Sequence, residues 1–188
     1  MGSVALCLAL IPKVWRGISV LPTRLILIYA GIGIIVAVHW LTFYAAIKLS
    51  NASVAVSCMA LGSIFAAVVE PLLTGRKHEI SELILGIMVV PGVVLLVGGV
   101  PSGMHLGIAI GIFSSFLTAV FATLNKRYVH HAEPESVTFI EMSVGGAFIA
   151  FAGIAYFGID NTLMLPDLRD FILLVILALA CTLLPFIL

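Results

Sequence analysis

Charge is what this sequence has least of. Only 10% of its 188 residues are Asp, Glu, Lys or Arg, and the nine acids cancel the nine bases. A soluble globular chain carries roughly a quarter charged residues, so this one lacks the means to clothe a water-facing surface. With no basic excess, nothing points to nucleic acid as a partner. Cysteine is scarce as well. Cys7, Cys58 and Cys181 stand apart in apolar runs, with no CxxC pair and no metal-ligand spacing, and read as small packing residues. Nucleotide and metal signatures are missing. There is no phosphate-binding loop of the GxxxxGKS type and no HExxH, and Gly31-x-Gly33 is not followed by the third glycine of a dinucleotide turn. The expectation is therefore a chain that is not an enzyme, without cofactor or metal. Polar linkers and low-complexity tails are also lacking, and the length suits one domain.

What the sequence does have is long apolar runs. Apolar residues make up 62% of it, and the mean hydropathy is +1.27. A helix needs about 20 mostly apolar residues to cross a bilayer. Only helices or closed barrels satisfy every backbone group in lipid, and continuous rather than alternating runs select helices. The fold class expected is an all-α polytopic transmembrane bundle. Six full spans are predicted, at Leu25–Ile47, Ser53–Thr74, Leu83–Val100, Leu106–Leu124, Val137–Ile159 and Phe171–Leu188. The run from Ser3 to Val14 is too short to span and reads as a partial first helix.

The connectors carry the charge and give an orientation. Lys13, Arg16, Arg24, Arg76, Lys77, Lys126 and Arg127, seven of the nine cations, fall on one side of the predicted topology; Lys48 and Arg169 fall on the other. Lys and Arg accumulate in cytoplasmic loops, so the loops at Arg16, Arg76 and Arg127 are expected in the cytoplasm. The N-terminal run is not a secretory signal, because its positive charges follow the apolar stretch instead of preceding it. The sequon Asn51-Ala52-Ser53 sits in a tight turn against the bilayer, where no glycan is expected.

The residues from His39 to Ser53 (HWLTFYAAIKLSNAS) resemble the third helix and outer turn of EamA-type transporters, in the drug/metabolite transporter superfamily. Ala60–Phe65 and then Glu70–Arg76 (EPLLTGR) are similar to that family's fourth helix, with its acid-proline pair and Gly-basic exit turn. Leu85–Val93 (LGIMVVPGV) is similar to the fifth helix, and Ser114 to Arg127 to the sixth, which opens the second repeat. The resemblance covers nearly the whole chain through order and spacing, since each motif alone is degenerate. It implies a ten-helix fold of two inverted repeats. Residues 1–101 would be most of the first repeat (helices 2–5, helix 2 truncated), and 102–188 part of the second (helices 6–8). On that alignment the chain is expected to be a piece of a ten-helix protein.

Ionisable side chains inside a span are costly and default to a functional hypothesis. His39, Glu70 and Glu141 qualify. His39 is the deepest. It reads either as a solute or proton contact, or as a neutral imidazole bonded to a neighbouring helix. Residues four apart share a helix face, pairing His39 with Phe43 and Trp40 with Tyr44. His39, Trp40 and Phe43 are candidate solute-binding residues, beside which the resemblance puts a central cavity. Glu70 and Glu141 lie near the cytoplasmic ends of their spans, as coupling or helix-locking groups, with locking favoured. Gly103, Gly107, Gly111, Ser115 and Ala119 recur every four residues, a small-residue stripe that lets backbones approach. The hydroxyls of Ser115 and Thr118 are candidate solute contacts. His130-His131 reads as a solvated loop pair.

Taken with the resemblance, these readings lead to a secondary transporter of small organic metabolites such as amino acids. It would sit as a multi-pass protein in the cell's inner (plasma) membrane, with a small-molecule solute and the lipid bilayer as partners. Homo-oligomerisation is left open. The alternative is a non-transporting helix-packing or assembly module.

Overall fold

In the computed structural model, residues 1–158 and 167–176 are described. Among them the secondary structure is entirely helical. In chain order the helices are α1 (Gly2–Ala9), α2 (Pro12–Ser19), α3 (Thr23–Leu49), α4 (Ala52–Met59), α5 (Gly62–Thr74), α6 (Ile80–Gly98), α7 (His105–Tyr128), α8 (Pro134–Phe157) and α9 (Leu168–Ile176). Short 3-10 turns at Ser102–Met104 and Val129–His131 flank α7. Among the described residues four stretches are long and apolar enough to cross a membrane: Thr23–Leu49, Ala52–Thr74, Ser102–His131 and Pro134–Phe157. Large apolar side chains stand on the outside, among them Leu95 at 80% and Phe151 at 74% exposure. A water-facing surface does not tolerate so many contiguous apolar groups; a hydrocarbon-facing one requires them.

Several boundaries differ from the sequence reading, for identifiable reasons. The run Ser3–Val14 is not one partial helix. Pro12 lacks a backbone donor and forces the preceding residue to be extended. Ile11 accordingly has φ −91° and ψ 112°, and α1 and α2 meet at 90°. The span expected at Ser53–Thr74 is found as Ala52–Thr74, with a local tightening inside it. Ala60 and Leu61 donate to Ser57 and Cys58, three residues back, at 3.1 Å each. This tightened turn separates α4 from α5. The span expected at Leu83–Val100 is α6, displaced toward its N-terminus, and its apolar segment Ile80–Leu95 is shorter than the four above. Ile159, at the end of one predicted span, and residues 177–188 of the last lie outside the described residues.

Helix ends follow local chemistry. The Asn51 side chain accepts from the Val54 amide at 2.9 Å and so caps α4; the sequon asparagine is a structural cap. Gly75 ends α5 with φ +75°, a left-handed conformation suited to glycine.

The chain divides into two packing units. The first comprises residues 1–34 and those from 132 onward. Within it α3 and α8 cross with backbones in contact: a Cβ on Gly33 would lie 2.5 Å from the Glu141 carbonyl oxygen. The second unit comprises residues 35–131, and the repeat boundary expected after residue 101 falls inside it. Its core gathers Val54, Cys58 and Ile108. Here the small-residue stripe of α7 packs as expected for most of its length. A Cβ on Gly107 would lie 2.8–2.9 Å from Ser50 and Leu49, and one on Gly111 3.1 Å from Cys58. Ser115 and Ala119 are buried. Gly103 is the exception, with nothing within 4 Å, because it belongs to the 3-10 turn preceding α7.

Candidate functional site

The second unit assembles a polar cluster on His39. This residue lies on α3 about 15 Å from Leu49, at 1.5 Å per residue, inside a span. Its Nδ1 is 3.0 Å from the Ser114 carbonyl oxygen, 2.9 Å from Ser114 Oγ and 3.1 Å from Thr118 Oγ1. A carbonyl only accepts, so this contact assigns the imidazole proton to Nδ1. The hydroxyls agree. Ser114 Oγ donates to the His39 carbonyl at 3.0 Å, and Thr118 Oγ1 donates to the Ser114 carbonyl at 3.2 Å. Both remain able to accept from Nδ1–H. In the neutral ring Nε2 is then a bare acceptor, and it has no hydrogen-bond partner among the described residues. The ring stacks on Phe43 (centroids 6.1 Å apart) and tilts against Phe121 (5.5 Å).

Of the residues singled out from sequence, His39, Phe43 and Thr118 come together here. Trp40 does not touch the imidazole; it packs on Tyr44, centroids 6.0 Å apart. Ser115 is also elsewhere. It is fully buried, and its Oγ donates to the Met59 carbonyl at 3.4 Å, at the tightened turn between α4 and α5. The serine that meets His39 is Ser114, which the sequence reading passed over. Ser114, Thr118 and Phe121 are spaced i, i+4, i+7, one helical face. That spacing was the available signal.

Glu70 is at the centre of a second cluster, joining α5 to α6 and α7. Its carboxylate lies 3.1 Å from Arg76 Nε, out of line for a hydrogen bond, and accepts from Lys126 Nζ at 2.6 Å. Arg76 also pairs with Glu82 and, at 3.7 Å, with Glu79. Arg127 donates to the Leu73 carbonyl, one of the acceptors left open where α5 ends. The Glu82 hydrogen bond, followed by the charges of Glu70, Glu82 and Glu79, raises Arg76 above the already high range of a guanidinium. It stays charged across the accessible pH range. With two cations on its carboxylate, Glu70 has the surroundings of a helix lock. Glu70→Ala should lower the melting temperature in detergent by the equivalent of about 1 kcal/mol, discounted for partial exposure. Lys126→Ala, whose side chain is 65% exposed, should cost about half that or less. Equal effects would mean that Arg76 does not hold Glu70 by itself.

Glu141 belongs to the first unit, where it is buried at 5% exposure and its backbone abuts Gly33. An open groove of about 470 Å³ in the second unit is lined by Leu41, Thr42, Ala45, Ala109, Ile110 and Phe113. Its one hydroxyl, on Thr42, is turned to the Val38 and His39 carbonyls, so the groove suits an acyl chain better than a polar solute. Among the described residues no three His, Cys, Asp or Glu side chains gather as a metal site would require. Compared with known proteins, the chain matches no family model, no curated protein and no solved structure.

Proposed function

We propose that the chain is part of a secondary transporter that moves small organic solutes, amino acids among them, across the cytoplasmic membrane. On this reading α6 and the segment beginning at α9 complete six spans. The fold is then the ten-helix inverted repeat of EamA-type transporters, with residues 1–101 in the first repeat and 102–188 in the second. The observation that carries the reading is His39, an ionisable ring inside a span with Nδ1 fixed by α7 and Nε2 left as an acceptor. Such residues are expensive in lipid and characteristic of solute and ion pathways, and transporter sites lie near the midplane. The interruption between α4 and α5 also supports it, because irregular backbone within a span is tolerated only where protein or a cavity lines it.

One observation favours the other reading, a helix-packing or assembly module. The Nδ1 contacts join α3 to α7 and Glu70 is held by two cations, so both groups already have structural duties.

Two measurements separate the readings. Membrane vesicles carrying the full-length protein to which this chain belongs, tested against a panel of labelled amino acids, should move at least one faster than empty vesicles, with loss of transport when an ionophore collapses the ion gradient. Movement of none would remove the transport reading. For topology, Lys77 is exposed and outside the ion pairs. Lys77→Cys should react with an impermeant maleimide in inverted vesicles and not in intact cells; the reverse would invert the assigned orientation.

A further inference from the structure

The corner formed by α1, α2 and the start of α8, all within the first unit, is not used by either reading. Its sequence is unusual for the chain. α2 is amphipathic and carries Lys13, Trp15 and Arg16 within one turn, whereas its neighbours are almost wholly apolar. Its depth is fixed by what it docks on. Val14 is fully buried, and its carbonyl accepts from Ser136 Oγ at 3.1 Å. Gly17 lies so close to Ser136 that a Cβ would fall 2.2 Å from that hydroxyl. Lys13 Nζ bridges Glu133 and Glu135 at 3.0 Å each. Ser136 and both glutamates lie at the very start of the span Pro134–Phe157, so α2 is held at the level where that span leaves the hydrocarbon. Trp15 seals the bend: its indole N–H donates to the Ala9 carbonyl at 2.8 Å, an acceptor freed where α1 stops. Trp15 as a whole remains 54% exposed. Tryptophan half exposed at that level is the usual interfacial anchor.

The charges beside it are unbalanced. Lys13 pairs with both acids at the start of α8 and offsets one of their two charges, but Arg16 and Arg24 are exposed and have no acidic partner among the described residues. Arg24 stands in the first turn of α3, which has no acidic residue, at the positive end of the helix dipole. Neither arginine meets an anion among the described residues, which leaves both open to an external one. We propose that α2 is an interfacial helix lying in the headgroup layer, where Arg16 and Arg24 bind the phosphates of anionic phospholipids and Trp15 rests at the acyl boundary. The inference depends on α8 spanning the membrane, and not on the transport reading. With the Arg16 loop cytoplasmic, the leaflet concerned is the one whose anionic lipids attract basic juxtamembrane segments.

The chain has two tryptophans, so Trp40→Phe leaves Trp15 as sole reporter. In vesicles of phosphatidylcholine with phosphatidylglycerol, lipids brominated near the headgroup should quench Trp15 more than lipids brominated near the chain end. Brominated phosphatidylglycerol should quench more than brominated phosphatidylcholine. That selectivity should fall by up to about fivefold for each arginine removed in Arg16→Ala and Arg24→Ala, and persist in Arg16→Lys. If the double variant does not fold, Arg16→Gln alone, which keeps every α2–α8 contact, gives the same reading. Stronger quenching by chain-end bromine would make α1 and α2 a broken span or re-entrant loop and overturn the proposal. Absence of quenching, or selectivity unchanged without the arginines, would overturn it equally. Transport can fail in vesicles without touching this result.

Discussion

Gly33→Leu is expected to abolish recovery of folded protein, and Gly33→Ala to reduce it severely. The cause is backbone against backbone. A Cβ at residue 33 would lie 2.5 Å from the Glu141 carbonyl oxygen and 2.9 Å from its Cα. Neither can swing away as a side chain would, so the two helices must part by about 1 Å to restore an ordinary contact of about 3.5 Å. The crossing is reciprocal, with a Cβ on Gly145 placed 2.7 Å from the Gly33 carbonyl oxygen. Helices in lipid associate through close packing without a hydrophobic drive between them, so separation removes most of what joins them. Overpacking of this kind costs about 1–3 kcal/mol for a methyl and more for an isobutyl group. Gly31, with nothing within 4 Å, supplies the control: Gly31→Leu should behave as the parent. Yield of monodisperse protein and melting in detergent check both. A Gly33→Leu protein that purifies and melts normally would mean that α3 and α8 do not cross there.

Substitutions at His39 are expected to split stability from transport. Asparagine can put an amide N–H near the position of Nδ1, while glutamine reaches toward Nε2. His39→Asn should therefore keep the bonds to Ser114 and Thr118 and the parent's yield, but leave no acceptor at the Nε2 position. His39→Gln should lose the Nδ1 contacts, at about 1 kcal/mol of stability, and retain a polar group where Nε2 was. If Nε2 meets the solute, transport per folded molecule falls with asparagine and survives in part, with altered preference, with glutamine. If His39 only joins α3 to α7, the glutamine variant loses protein and both variants transport normally per molecule. Unaltered normalised rates for every solute in both would dismiss the site.

The sequence told more about packing than about chemistry. Apolar runs located α3, α7 and α8 within a few residues, since hydrocarbon imposes a length and excludes charge. The four-residue recurrence of small side chains found the close approaches at Gly107 and Gly111, because helical spacing maps directly onto a face. The i, i+4 rule also paired His39 with Phe43. It could not choose between Ser114 and Ser115. Adjacent residues diverge by about 100° around a helix, and which of them faces His39 depends on the rotation of α7, a property of the whole bundle. The tightened turn at Ala60–Leu61 was hidden for a similar reason: neither residue is a helix breaker, and the neighbouring Gly62 reads equally well as packing. The break at Pro12 was different, since the proline stood in view within a run read as continuous. A solute leaves even less trace, because its contacts come from several helices at positions that no local pattern singles out.

The tightened turn has a mechanical consequence. An unbroken helix resists bending because each residue is tied to one four places back. Between α4 and α5 that ladder is replaced by three-residue bonds, one of them, from Ser63 to Ala60, stretched to 3.5 Å. The span Ala52–Thr74 is thus a jointed rod in place of a beam. Its two arms are braced differently. Below the joint α4 packs closely on α7, with Cys58 buried against Gly111 and its thiol 3.9 Å from the Ile108 carbonyl; beyond it, at the far end of α5, ionic ties clamp the arm. A small displacement imposed on α4 would be taken up at the joint and would not be transmitted as torque to the clamped end. Compliance is concentrated next to Ser115, whose hydroxyl holds the Met59 carbonyl at the edge of the joint.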